Sequence, residues 1–214
     1  MGRPRVHGAA TGAALLDEAL TLLRKGGPAA VSVRAVAEAA GTSVRAVYTV
    51  FGSKQALIDA LAQRGYNRLS ALVNGVEQTE DPAGDLMAAG LRGFRAFALE
   101  EPALFRLTFE QIPAELLAHE DVARAGYDSY RALRARIRRL RDKGGVHPRR
   151  TDEACCFAFH ATCQGLASSE MAWWRPPDGP GLWAMFDVTD LTPVWRDTLT
   201  GLVERFTLPP ESPD

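Results

Sequence analysis

The sequence has little that would tie it to a membrane or to an oxidising compartment. No stretch comes near the roughly 18 uninterrupted apolar residues that a membrane-spanning helix needs. The opening MGRPRVHGAA carries no long apolar run and does not read as a secretory signal. Cysteine is scarce: three residues, Cys155, Cys156 and Cys163, lie close together with no partner elsewhere. That excludes a disulfide framework and suits a reducing cytoplasm. Net charge is almost absent, at -1, so the chain as a whole is neither a polybasic coat nor an acidic tail protein. Strand-like alternation and internal repeats are missing too.

What is present is an ordinary globular mixture, 46% hydrophobic and 24% charged in 214 residues. That is enough for one large domain, or for a small module joined to a larger one. The charge is unevenly placed. Up to residue 70 the basic groups are Arg3, Arg5, Arg24, Lys25, Arg34, Arg45, Lys54, Arg64 and Arg68, against Asp17, Glu18, Glu38 and Asp59. The rest of the chain is net acidic. A positive N-terminal third on a neutral protein points to an anionic partner for that third alone.

Periodicity predicts helix nearly throughout. From Thr11 to Arg24, Leu15, Leu16, Ala19, Leu20 and Leu23 recur at helical spacing, and Gly26-Gly27 stops the run. Ser32 caps a short helix over 33–40, Gly41 breaks it, and Ser43 caps a second over 44–51. Gly52-Ser53 breaks and recaps before a longer helix from Lys54 past Leu72. Further helices are expected from Asp81-Pro82 to about Glu100, over 102–109 up to a stop at Pro113, and from about Val122 to Lys143. Two more are expected from Thr151 to Trp174 and from Pro193 to about Leu208, with a Pro/Gly-rich connection over 175–190. The helix of 151–174 is apolar almost all round, which predicts burial in a core or between subunits. The expected fold class is all-α: an N-terminal three-helix unit over 11–76, a larger helical unit over 77–210, and a flexible basic arm over 1–10.

Two short helices joined by a tight glycine turn form a helix-turn-helix. Val36, Ala37 and Val47 allow the pair to pack, and Gly41 allows the turn. The outward positions Thr42, Ser43, Val44, Arg45 and Thr49 are small or polar enough for a DNA major groove. Tyr48 and Lys54 add a hydroxyl and an ammonium near its edge. Arg45 is the best candidate for a bidentate contact with guanine, with a plain phosphate contact as the alternative. Arg3 and Arg5 around Pro4 could enter a minor groove, although a solvated tail is the plainer expectation. One such helix pair buries too little groove for tight specific binding. Two-fold pairing through 151–174 and 193–208 is therefore expected, giving a homodimer that reads a palindromic operator.

The run SVRAVAEAAGTSVRAVYTVFGSKQALIDAL sharpens this reading. Val36-Ala37, Ala40-Gly41, Ser43, Val47-Tyr48, Phe51, Ser53-Lys54 and Leu57 fall at the spacings of the N-terminal domain of the tetracycline-repressor (TetR) family. Residues 11–72 thus resemble that domain of bacterial transcription regulators. Thr42 stands where an apolar residue is usual, and Val50 where His or Tyr is usual. The resemblance implies phosphate contacts from Ser43, Tyr48 and Lys54, with Ser32 and Arg34 at the preceding helix start. It implies that Val44, Arg45 and Thr49 face base edges. Residues 83–208, through FRAFALEEPALFRLTFE and FHATCQGLASSEM, resemble a class of C-terminal domain marked by a Trp-His-Gly signature. Of that signature only Gly165 is kept here.

A helical domain of this kind can enclose an apolar pocket. Phe94, Phe97, Phe105, Phe109, Tyr127 and Trp174 are candidate walls, with His160 and Gln164 one turn apart as polar groups; ordinary core packing is the plainer account of any one of them. The expected effector is a small hydrophobic or amphipathic molecule. Cys156, His160 and Cys163 share a helix face but spread over about 10 Å of rise, too far to chelate one ion unaided. Metal or redox sensing, and a Cys163–His160 nucleophile pair, are therefore minor alternatives, and no metal, cofactor or catalytic residue is expected. The arginines at 131, 134, 136, 138, 139 and 141 read as a solvated face that pairs with neighbouring acids. The expectation is a cytoplasmic, non-enzymatic, ligand-responsive DNA-binding regulator, with a repressor as the expected type.

Overall fold

The apolar spacing described above becomes helix wherever the computed structural model describes the chain, namely over residues 5–110, 120–174 and 190–210, and no strand occurs among those residues. The expectations at Pro113 and over most of 175–190 lie outside the described residues, as do Arg3 and the side chain of Trp174.

The helices α1 (Arg5–Ala30), α2 (Val33–Ala39), α3 (Val44–Phe51), α4 (Lys54–Asn74) and α5 (Pro82–Ala88) follow in order. A π-helical stretch, Ala89–Arg95, leads into α6 (Ala96–Glu100). Then come α7 (Pro102–Phe109), α8 (Glu120–Asp142) and α9 (Asp152–Ser169), which continues as a π-helical stretch over Glu170–Trp174, and finally α10 (Thr192–Phe206). Side-chain caps act where the sequence placed them: the Thr151 hydroxyl accepts from Ala154 N at 3.1 Å, and Asp81 Oδ1 from Gly84 N at 3.0 Å. The regular helix of α1 is interrupted at Gly26 (φ −148°) and Gly27 (φ 66°), as expected. Its start differs, because α1 begins at Arg5 rather than Thr11, so the basic arm is helical from Arg5 onward. Residues 5–10 contain no proline, and the one glycine, Gly8, costs only about 1 kcal/mol in a helix.

The chain divides into two compact units. The first comprises 1–67 and 101–126, the second 68–100 and 127–214. This division does not follow chain order, because α7 packs on α1 and so joins the first unit. Within that unit Leu15, Leu20, Leu23, Val36, Val47, Leu57, Leu61, Leu104 and Phe105 are buried. Phe109 meets Tyr66 edge-on at 5.8 Å.

In the second unit Leu86, Phe97, Ile137, Cys163, Trp195, Leu199 and Phe206 form the core. Gly90 sets how closely its helices approach. A Cβ there would lie 2.7 Å from Leu199 Cδ1 and 3.2 Å from Phe159 Cζ. The expectation that the arginines of α8 all lie on a solvated face fails at Arg136, which is 2% exposed. Its Nη2 donates to the carbonyls of Val73 and Val76 at 2.7 and 2.8 Å. Val73 lies in the last turn of α4, where helical carbonyls lack partners within the helix, and Val76 lies just beyond its end. Arg139 holds Asp85 at 2.9 Å and the Thr79 carbonyl at 2.6 Å. Arg134, Arg138 and Arg141 pair with Glu153 and Asp152, as expected of them.

A second buried polar cluster joins the two π-helical stretches. Arg95 forms a bidentate pair with Glu170, at 2.9 and 2.8 Å, and also donates to Thr192 Oγ1 at 2.7 Å. Trp195 Nε1 donates to Glu170 Oε2 at 2.8 Å. The Glu170 side chain is 1% exposed, and these donors offset the cost of burying its charge.

Candidate nucleic-acid interface

In the first unit the local sequence builds a helix pair with one apolar seam and one open face. Ser32 is extended, with φ −135°, and its hydroxyl accepts from Ala35 N at 3.1 Å, which starts α2. After Ala39 the chain must turn sharply. Gly41 does so at φ 61°, in the left-handed region that favours glycine. Thr42 N then donates back to the Ala37 carbonyl at 2.9 Å. Ser43 starts α3 by accepting from Ala46 N at 3.2 Å. Gly52 ends it, and Ser53 caps α4 through Ala56 N at 3.0 Å, which places Lys54 in the first turn of α4.

Val36 and Val47 are fully buried and Ala37 nearly so, and they make the seam between α2 and α3. The opposite side of α3 is open. Tyr48 is 50% exposed and Val44 42%. Thr42, Ser43, Arg45, Thr49 and Lys54 are exposed as well, and so is Arg34 on α2. Ser32 is half-buried and Phe51 only partly covered. Among the described residues Arg34, Arg45 and Lys54 make no ion pair, whereas Arg24 of the same unit pairs with Glu101. Every expected DNA-facing residue thus belongs to this one helix pair and its flanks. The resulting surface has three cations without an ion pair among the described residues, backbone N–H groups at the start of α3, and no acidic side chain between Thr42 and Lys54. Such a surface attracts phosphate and fits a groove.

The expected effector-binding residues are not gathered in one place. Phe94 and Phe97 are buried in the second unit, where Phe94 meets His160 edge-on at 5.5 Å. Burial pushes the His160 imidazole below its ordinary pKa, and its hydrogen bond with Gln164 works against that shift. Phe105 and Phe109 belong to the first unit and touch each other at 5.3 Å. Tyr127 is 61% exposed, so it is not a wall of an enclosed cavity in its unit. A cleft of about 260 Å³ does exist in the first unit, but its walls include Asp59, Gln63, Glu120 and Asp121 and none of the expected residues.

The cysteines are buried. Burial raises the Cys163 thiol and pushes Cys156 up to about 11, the latter despite a hydrogen bond with Tyr130. Neither is a thiolate at neutral pH, so neither is poised as a nucleophile. Among the described residues no group of three or more His, Cys, Asp or Glu side chains could hold a metal ion, and no helix is long and apolar enough to cross a membrane.

The buried polar clusters were missed by sequence reasoning. Arg136 carried a signal, since it sits three residues after Leu133 and four before Leu140, on the apolar stripe itself. Arg95 and Glu170 are 75 positions apart and carried none.

Comparison with known proteins agrees with this geometry. Residues 15–61 match the family described as bacterial regulatory proteins, tetR family. Residues 86–187 match the description Tetracyclin repressor-like, C-terminal domain. No curated protein sequence matches the chain significantly. Among solved structures, a protein of unknown function from Rhodococcus sp. RHA1 superposes with a TM-score of 0.76 at 24% identity, over 97% of this chain and 100% of that one. The fatty acid degradation regulator FadR from Bacillus halodurans gives 0.69 at 15% identity, covering 94% and 96%. The TetR family transcriptional regulator PfmR from Thermus thermophilus gives 0.62 at 23%, covering 89% and 97%. These likenesses concern the fold.

Proposed function

Because the chain belongs to the tetR family of bacterial regulatory proteins, we propose that it is a cytoplasmic homodimeric repressor that binds a palindromic operator and is released by a small hydrophobic effector. In this reading residues 11–76 bind DNA and residues 77–210 bind the effector and dimerise. Ser32, Arg34, Ser43, Tyr48 and Lys54 contact phosphates, Val44, Arg45 and Thr49 face the bases, and Thr42 lies on the same DNA-facing side. The observation that carries the reading is the two-sidedness of α3: Val47 is fully buried while Tyr48 beside it is half exposed, with Arg45 and Lys54 unpaired among the described residues.

The partner copy is suggested by what α9 and α10 leave uncovered. α9 buries Cys155, Cys156, Phe159 and Cys163 on one side. On the other it exposes Ala154, Phe157 at 73%, Ala161 and Gly165. α10 exposes Val194, Thr198 and Gly201 likewise, with Leu208 exposed just beyond its end. Small residues around one large aromatic form a surface that a second copy can cover by helix packing. Replacing Phe157 by Glu is expected to turn the dimer into a monomer in sedimentation while leaving the helical circular dichroism intact.

The effector acts by shifting a population. Binding near Phe94, Phe97, His160 and Gln164 favours a dimer whose two recognition helices no longer match successive major grooves. Only its difference in affinity for the two states moves the equilibrium. Selection of bound duplexes from a random pool tests the whole reading. The expected product is a palindrome whose affinity falls steeply with salt; a pool that stays random at low salt would refute it.

A further inference from the structure

The exposed side of α3 also limits which bases it can read. Between Thr42 and Phe51 there is no Asn or Gln, the side chains that pair with adenine in two hydrogen bonds, and no Asp or Glu to accept from cytosine. Two of the four hydroxyls between Thr42 and Phe51 take part in the helix itself. Ser43 Oγ accepts from Ala46 N, and Thr49 Oγ1 donates to the Arg45 carbonyl at 2.9 Å. With its proton committed there, the Thr49 hydroxyl has no proton left for a base and can only accept, while its methyl group adds apolar surface. Val44, 42% exposed, offers only methyls. Arg45 is the one side chain on this face with a fork of donors suited to a guanine edge.

We infer that Val44 and Thr49 are specificity residues that read the C5-methyl groups of thymine, on either side of a guanine held by Arg45. The inference rests on the DNA-binding reading above and deepens it. Val44 adjoins Arg45, and Thr49 lies four residues beyond it, about 6 Å along the axis. Base pairs stack at about 3.4 Å, so the methyls read lie within about two base-pair steps of the guanine.

Replacing thymine by deoxyuridine removes that methyl and leaves the hydrogen-bonding edges intact. The test substitutes each thymine of a selected operator in turn and measures binding of the full chain. For wild type, at least one thymine per half-site, within two base pairs of an essential guanine, is expected to bind roughly threefold to fivefold more weakly as deoxyuridine, the scale of one buried methyl. The Val44→Ser/Thr49→Ser double variant binds the thymine operator more weakly, down to about the level of wild type on the deoxyuridine operator, and no longer distinguishes the two. Thr49→Val, which keeps the methyl and removes the hydroxyl, retains the wild-type ratio of thymine to deoxyuridine affinity.

Two results overturn the inference while leaving the regulator reading in place: indifference of wild type to every deoxyuridine, or undiminished sensitivity in the double variant. Failure of wild type to bind any duplex at low salt overturns the regulator reading and the inference with it.

Discussion

Arg95 in the second unit has four hydrogen-bonding or stacking partners: both oxygens of Glu170, the Thr192 hydroxyl and the Trp195 ring at 5.8 Å. Arg45 in the first unit, like Arg34 and Lys54, is exposed and has no ion pair among the described residues. The same residue type serves opposite ends. Where an arginine is buried and fully satisfied, it fixes the positions of helices. Where it is left open beside a fully packed seam, its donors remain available to a partner that the chain does not itself contain. The contrast teaches that the functional face is found by asking which polar groups have no internal task, and the following changes are chosen to strain that distinction.

The largest effect should come from breaking the satisfied cluster. Glu170→Ala leaves the Arg95 guanidinium, whose side chain is 12% exposed, without its carboxylate, and leaves the Trp195 N–H without an acceptor. Removing one partner of a buried pair costs about 3–5 kcal/mol. Urea denaturation should show a loss of that size. A loss near zero would mean that the arginines of the two units are not so different after all.

Arg45→Ala is the opposite case. Unfolding stability should stay within about 0.5 kcal/mol of wild type, as for surface changes away from caps and clusters. Operator affinity should drop by about 1–3 kcal/mol per half-site, together with discrimination at one guanine. Fluorescence anisotropy on guanine-to-adenine operators measures both. An equal loss on every sequence would make Arg45 a phosphate contact only.

A shallower effect separates the units by pH. Burial alone would raise the Asp85 carboxyl, but hydrogen bonds from Thr79 and Arg139 bring it below its ordinary value. Asp152 behaves alike through Arg141 and Arg138. A carboxyl whose folded pKa is depressed stabilises the fold above the unfolded value near 4, and that stability is lost as pH falls through the folded value. His160, lowered by burial, takes up its proton at a lower pH in the fold than in the unfolded chain, where it does so near pH 6.5. All three groups belong to the second unit. Its stability should therefore decline below about pH 6.5, by at most about 1.4 kcal/mol per pH unit for the one histidine, and again below about pH 4. Denaturation midpoints at pH 7.5, 6 and 5 should fall for wild type and flatten in His160→Gln.

The same contrast explains how far the amino-acid sequence could be read on its own. The helix pair, its caps at Ser32 and Ser43, and the outward face of α3 were legible because each depends on residues within four positions of one another. The inward Arg136 was legible in principle, from its place on the apolar stripe of α8. The Arg95–Glu170 pair was not, because two polar residues 75 positions apart become partners only through the packing of helices. The expected wall of aromatics suffered from the same distance. Phe94 and Phe105 are eleven positions apart and fall in different units, because α7 packs back on α1. Helical spacing reports which face of a helix is buried and is silent about which helix covers it.

The smallest and sharpest test concerns Ser43, where the distinction between satisfied and open groups runs through a single hydroxyl. Its oxygen accepts from Ala46 N and so caps α3, while its own proton has no acceptor among the described residues and is available to a phosphate. Ser43→Ala removes both roles and should cost about 1 kcal/mol of stability as well as affinity. Ser43→Gly removes the hydroxyl at a position where glycine caps nearly as well, so stability should fall by only a few tenths of a kcal/mol. If the hydroxyl also contacts DNA, the glycine variant should lose operator affinity as fully as the alanine variant, and its salt slope should shrink by about one phosphate contact. If glycine instead binds like wild type, Ser43 serves the helix alone and belongs with the residues that have an internal task.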